Sequence, residues 1–208
     1  MSSIPSPFPR RALTLALLVA PALAACGGTD PFAPVASLYT SASGYIVYPL
    51  SSAPALLPTA LQMLTQTAVR PQVSQSLGLN FDVVFDIDAQ NRVRVIPPKL
   101  VATVPTGTPI TGVQTVTTPF DSLLRAPASG YQYDSATTVR VGQVFAVSSQ
   151  GTTSAGITCA STSPLYAKMV IDSVVAVPEL GTRKLFLRTV IDPNCGFRSL
   201  ETGVIPKN

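Results

Sequence analysis

The segment FDVVFDIDAQNRVRVIP, residues 81–97, constrains the fold more than any other part of the chain. Phe81, Val83, Phe85 and Ile87 alternate with Asp82, Val84, Asp86 and Asp88. A period of two is that of a strand with one buried face. Ala89, Gln90 and Asn91 then form a three-residue loop. That loop sets Asp88 opposite Arg92, Ile87 opposite Val93, Asp86 opposite Arg94 and Phe85 opposite Val95. A four-residue loop would place Ile87 beside Arg92, and a one-residue slip moves every side chain to the wrong face. Asn91 takes the left-handed position of the turn, which asparagine tolerates. Each cross-strand ion pair is worth ~0.2–1 kcal/mol, so the pairs fix register more than stability.

The same acidic residues invite a calcium reading, because D-I-D-A-Q-N mimics the start of an EF-hand loop. Pro97 stands where the bidentate glutamate belongs, and the turn has no glycine. Pairing across the hairpin accounts for the aspartates, and no metal ligand is assigned.

The rest of the chain points to strands and turns. Twenty prolines, abundant Thr, Ser and Val, and a charged fraction of 12% disfavour helices. Short strands are expected in SLYT and GYIVYPL. Leu57, Ala60, Leu61 and Leu64 fall at helical spacing, which predicts a short helix over residues 59–69. The threonine-rich end of that stretch also fits strand and turn. Residues 101–119 read as edge strands and loops, since proline is poorly tolerated in central strands. FDSLLRAP reads as one helical turn, and SGYQYDS as a turn into a strand. Residues 137–149 read as a strand bent at Gly142. LYAKMVIDSVVAV and RKLFLRTVID form a hairpin about PELGT, which brings Leu165 near Asn194 and sets Cys159 and Cys195 at one end of it. The fold class is all-β: an antiparallel β-sandwich, or a partly open barrel, with at most one short helix.

Arg10 and Arg11 are the only charges before Asp30. Behind them lies an apolar run over residues 12–25 that ends in small residues, the three parts of an export signal. The run is shorter than the roughly 20 residues a spanning helix needs. LAAC, residues 23–26, resembles the lipobox of bacterial lipoproteins. The resemblance implies a diacylglycerol on the Cys26 sulfur, cleavage before it and acylation of the freed amine. Two or three acyl chains hold a protein firmly, at ~0.8 kcal/mol per buried CH₂. The arginine pair also occurs in twin-arginine signals, but its surroundings match that signal poorly. Gly27, in place of Asp, implies sorting to the outer membrane. The organisation expected is a signal peptide over 1–25, a flexible tether over 26–37 and one β-rich domain over 38–208.

The chain has 14 basic and 10 acidic residues, and two of the basic ones lie in the signal. With no basic run, nucleic acid is not an expected partner. The partners expected are the membrane, through the Cys26 lipid, and an unassigned protein or small molecule. An exported protein meets oxidising conditions, so Cys159 and Cys195 are expected to bridge. The chain has no histidine. That removes Ser-His-Asp and Cys-His systems and His-ligated metals. No S-x-x-K spacing marks a Ser-Lys dyad among Lys99, Lys168 and Lys184. Tyr131 and Tyr133 point the same way from one strand and are candidates for a ligand rim; the competing assignment is the rim of a sandwich core. RKLFLR reads as a modest basic strand face.

FDVVFDI, VGQVFAVSSQG, LYAKMVI and KLFLRTVIDPN together resemble the HmuY-like haem-binding lipoproteins of bacterial outer membranes. The resemblance covers about half of the mature chain and implies a lipid-anchored, mostly β fold. The best-known haem site of that family uses histidines, which this chain lacks; Met63 and Met169 are the soft alternatives. No cofactor is therefore assigned. The function expected is a non-enzymatic binding or envelope-structural lipoprotein. A haemophore-like carrier without histidine ligands and a Ser-Lys or carboxylate hydrolase are the alternatives.

Overall fold

Fourteen strands follow one another along the chain in a computed structural model that describes residues 35–74, 78–101, 110–151, 153–154, 157–160 and 162–207. They are β1 (Ser41–Val47), β2 (Ala60–Gln62), β3 (Thr67–Val69), β4 (Val73–Ser74), β5 (Gly78–Leu79), β6 (Val83–Ile87) and β7 (Val93–Ile96). They continue as β8 (Ile110–Thr115), β9 (Thr137–Val139), β10 (Val144–Gln150), β11 (Thr153–Ser154), β12 (Ile157–Thr158), β13 (Leu165–Val177) and β14 (Thr182–Asp192). Two five-stranded antiparallel sheets result. One has the order β1-β14-β13-β10-β8, the other β3-β2-β6-β7-β9. β4–β5 and β11–β12 are small separate hairpins. Among the described residues, helical structure is confined to short 3-10 turns, and the sheets do not close into a barrel. The fold is an all-β sandwich.

The inner faces meet in one core. Val83, Phe85, Val93 and Val95 project from one sheet; Phe145, Val147, Met169, Ile171, Leu185 and Leu187 project from the other, all 2% exposed or less. The outer faces are covered too. Phe120, Leu123, Ala126 and Leu200 lie over Val144, Val170 and Val190. Leu79 and Phe81 lie with Ala60, Val84 and Ile96 on the other side. Central strands therefore bury both faces: in β10 every residue from Val144 to Ser149 is buried, and the first four are apolar.

The β6–β7 hairpin has the register its alternation requires: Phe85 opposite Val95, Asp86 opposite Arg94, Ile87 opposite Val93. Asn91 sits at φ 60°, and Asp88 pairs with Arg92 at 2.8 Å. Asp86 instead accepts the Ser51 hydroxyl at 2.7 Å. The alternation stops at Val83. Phe81 joins the outer cluster, and Asp82 is buried. Its carboxylate accepts the Met63 N–H at 2.7 Å and the Ser149 hydroxyl, tying the two sheets together.

Five other expectations change, the first being that SLYT, residues 37–40, forms no strand and β1 begins at Ser41. Residues 59–69 form the β2–β3 hairpin, not a helix. Leu61 and Met63 enter the core at period two, and Gln66 takes φ 54° in the turn. The stretch 137–149 is two strands, not one bent strand. β9 belongs to one sheet and β10 to the other, and the chain crosses over at Gly142, φ 80°. The β13–β14 hairpin forms, but its register shifts at Asp172, where a bulge inserts one residue. Tyr166 therefore faces Asp192, one step off the unbulged register. SGYQYDS forms no strand; Gln132 makes only an isolated bridge to Val113.

The sandwich has two distinct poles, separated by the 11 residues of β14, roughly 35 Å at the strand rise. At one pole Cys159 and Cys195 form a disulfide with a Cα–Cα distance of 5.3 Å. There the Asn194 carboxamide accepts the Ser37 and Leu38 N–H groups at 2.9 and 3.0 Å, fixing where the chain enters the domain. At the other pole the tips of the β6–β7 and β13–β14 hairpins meet through Arg183 and Asn91.

Candidate functional site

The hairpin-tip pole holds an open mouth of about 460 Å³ between the sheets. On β14, Leu185 and Leu187 point into the core, and Arg183 continues the same inward row one step beyond it. Facing it are Asn91 and Arg92 from the β6–β7 turn and Arg140 just past β9. The floor is apolar: Val93 and Val139 belong to the core, and Val174 packs against it.

The three guanidiniums are held differently. Arg183 Nη1 donates to Asn91 Oδ1 at 2.5 Å. Arg92 Nε donates to Asp88 Oδ2 at 2.8 Å. Hydrogen bonds from the Arg92 backbone N–H and then its guanidinium hold the Asp88 carboxyl below the usual range. Among the described residues, neither Arg140 nor Arg183 has a carboxylate within 4 Å. A smaller cleft of about 250 Å³ adjoins the mouth, with Ser51, Ser52 and Thr182 on its wall. The arrangement can receive an anion by charge and hydrogen bonding while offering its body an apolar surface.

Two other concavities are less organised for this. A cleft of about 450 Å³ at the disulfide pole is lined by Arg125, Arg198 and Lys207 together with Glu201. There the Arg198 guanidinium is engaged by the Ala126 carbonyl, at 2.8 Å from Nε. A groove of about 470 Å³ on the outer face of β1 and β14 is largely apolar, with Ile46 and Phe186 on it.

The residues singled out in the sequence fall in several places. Cys26 lies outside the described residues, as do residues 1–25, expected as a signal, and residues 27–34 of the expected tether. Tyr131 and Tyr133 come together, ring centroids 6.5 Å apart, but neither lines the arginine mouth. Tyr131 is 8% exposed and donates its hydroxyl to the Pro127 carbonyl at 3.1 Å; burial pushes its phenol pKa up. The Tyr133 ring and the Tyr131 Cβ lie against Gly112 at the edge strand β8, where an added Cβ would come within 2.6 Å of the Tyr133 ring. Met63 and Met169 are both wholly buried in the main core.

The lysines are also placed. Lys168 is 3% exposed, and its ammonium donates to the Phe120 and Leu123 carbonyls at 2.8 and 3.0 Å. It lies 4.8 Å from the Phe120 ring centroid, and burial pushes its pKa down. It clips the 3-10 turn Phe120–Ser122 onto the outer face of β13. Lys99 pairs with Asp134, and Lys184 lies 5.4 Å from the Phe186 ring centroid.

RKLFLR, read as a single basic face, is divided by the strand pleat. Arg183 enters the mouth, while Arg188 lies on the outer surface with Asp172 at 3.1 Å. The inward parity of Arg183 was visible from Leu185 and Leu187. Its convergence with Arg92 and Arg140 was not, because those residues come from the opposite sheet. No protein-family model matches the chain, and no curated protein matches it.

Proposed function

We propose that the chain is a lipid-anchored, extracytoplasmic binding protein of the cell envelope, non-enzymatic and held at the outer membrane through Cys26. The observation that carries this reading is the Cys159–Cys195 disulfide. Of three cysteines it leaves only Cys26, which stands directly behind an export signal. A bridged pair in a domain of this kind fits an oxidising compartment, and the third cysteine then has a chemical role. The place where the chain joins the domain fits as well. Ser37 and Leu38 bind Asn194 at the disulfide pole, at the opposite end of the domain from the arginine mouth.

The test is fractionation of cells expressing the full chain or its Cys26→Ser variant, grown with an alkyne-labelled fatty acid. The unaltered chain is expected in the membrane fraction with label attached. The variant is expected unlabelled and out of that fraction. A variant that still sediments with membranes and carries label refutes the anchor.

A further inference from the structure

We propose that the arginine mouth binds a small organic phosphate, a phosphomonoester carried on an apolar or ring-shaped body. The inference rests on the reading of the chain as a binding protein and names the ligand class of its candidate site. Arg92, Arg140 and Arg183 approach one concavity from both sheets. Guanidinium groups match phosphate oxygens with paired, charge-assisted hydrogen bonds. Three donors arriving from different sides suit a tetrahedral dianion better than a planar carboxylate, which two forks already saturate. Asn91 adds an amide beside Arg183.

Charge balance points the same way. Asp88 offsets Arg92, whereas Arg140 and Arg183 have no carboxylate within 4 Å among the described residues. An inward-facing cation above a core of Val93, Val139 and Val174 is an uncommon way to end a sandwich. The apolar floor selects an ester with a hydrophobic or ring body over bare phosphate. The volume of about 460 Å³ lies within the range of small-molecule sites.

The pH dependence of binding follows from the ligand. The ionisable groups at the mouth are Arg92, Arg140, Arg183 and Asp88. Hydrogen bonds from Arg92 hold the Asp88 carboxyl below the usual carboxylate range. The chain has no histidine. The second ionisation of a phosphomonoester, near pKa 6, therefore governs affinity, which rises about tenfold from pH 5 to pH 7.5.

The experiment is isothermal titration of phenyl phosphate into the full chain, purified in a non-ionic detergent from whichever cell fraction holds it. One saturable site is expected. Arg140→Gln and Arg183→Gln are each expected to weaken it by about tenfold or more. Arg188→Gln, on the outer face, is expected to leave it unchanged. Benzoate, a planar monoanion on the same ring, is expected to bind about tenfold more weakly. Melting curves matching the parent show that each variant is folded. Absence of saturable binding overturns the proposal, as does binding that neither arginine variant weakens. Flotation of the Cys26→Ser variant, which lacks the proposed anchor, with vesicles containing phosphatidic acid separates the two sources of such a phosphate. Capture that depends on Arg183 assigns a lipid headgroup; phenyl phosphate binding without capture assigns a soluble ester. Loss of the anchor leaves these titrations unaffected, so the two proposals fail separately.

Discussion

Reducing the Cys159–Cys195 bridge should cost the domain about 4 kcal/mol. The two residues are 36 apart in sequence and enclose the whole β13–β14 hairpin. In the chain-entropy model, a loop of that length removes ~13 cal/mol/K from the unfolded ensemble, which is ~4 kcal/mol at 25 °C. For a domain of this size, each kcal/mol moves the melting midpoint by roughly 2–4 °C, so a fall of about 8–15 °C is expected. The assay is thermal and urea denaturation of the protein with and without a phosphine reductant. Reduction keeps both side chains and isolates the effect of the cross-link. The urea slope should rise on reduction, because the unlinked chain exposes more surface when unfolded. The double variant Cys159→Ala, Cys195→Ala should fall lower still, by about 1 kcal/mol, because the Cys159 side chain is buried in the main core. If oxidised and reduced protein melt within about a degree of each other, the loop-entropy argument fails here.

Three further outcomes are expected. Asp192 is wholly buried; its Oδ1 accepts the backbone N–H and one carboxamide N–H of Asn194, at 3.0 and 2.8 Å, while Oδ2 has no partner among the described residues. Burial raises its pKa above the unfolded value, so the folded state holds the proton more tightly and stability falls as pH rises between the two values. Asp192→Asn should remove that fall and exceed the parent in urea midpoint at pH 8 but not at pH 3.5. Gly112→Ala should destabilise by about 1–3 kcal/mol, since its Cβ would meet Tyr131 and Tyr133 within 2.8 Å; chemical denaturation reads the loss. Lys168→Met leaves the Phe120 and Leu123 carbonyls without their ammonium, and limited trypsin digestion should then cut faster after the nearby Arg125.

What was legible in the sequence followed the range of the interaction. The β6–β7 register was legible because a three-residue loop and strict alternation fix it locally. The β13–β14 pair was legible as a hairpin but not to the residue. Its bulge at Asp172 showed only as an inward row that runs through Ile171 and resumes at Val174. Gly142 marked a break, yet a bend within one sheet and a crossing between two sheets place the same demand on a glycine with positive φ. Over residues 57–64, leucines at helical spacing competed with Leu61 and Met63 at strand spacing. Tertiary burial, with Asp82 taking the Met63 N–H, decided for the strand.

The arginine mouth was hidden for a related reason: its members are scattered over more than 90 residues and meet only when the sheets pack. Arg183 alone carried a local sign, as a charge in the inward row of Leu185, Leu187 and Ile191. A leucine at 183 would extend the core by one layer over Val93, Val139 and Val174. Arg183→Leu should therefore raise stability by about 1–2 kcal/mol while weakening phosphate binding at least tenfold. Urea denaturation and phenyl phosphate titration on the same preparation check both halves. Should the variant lose stability, Arg183 would be serving as a structural clasp through Asn91, and the guanidinium would need no ligand to account for it. A gain in stability with a loss of binding would mean that the open, charged end of the sandwich is retained at the expense of a better core.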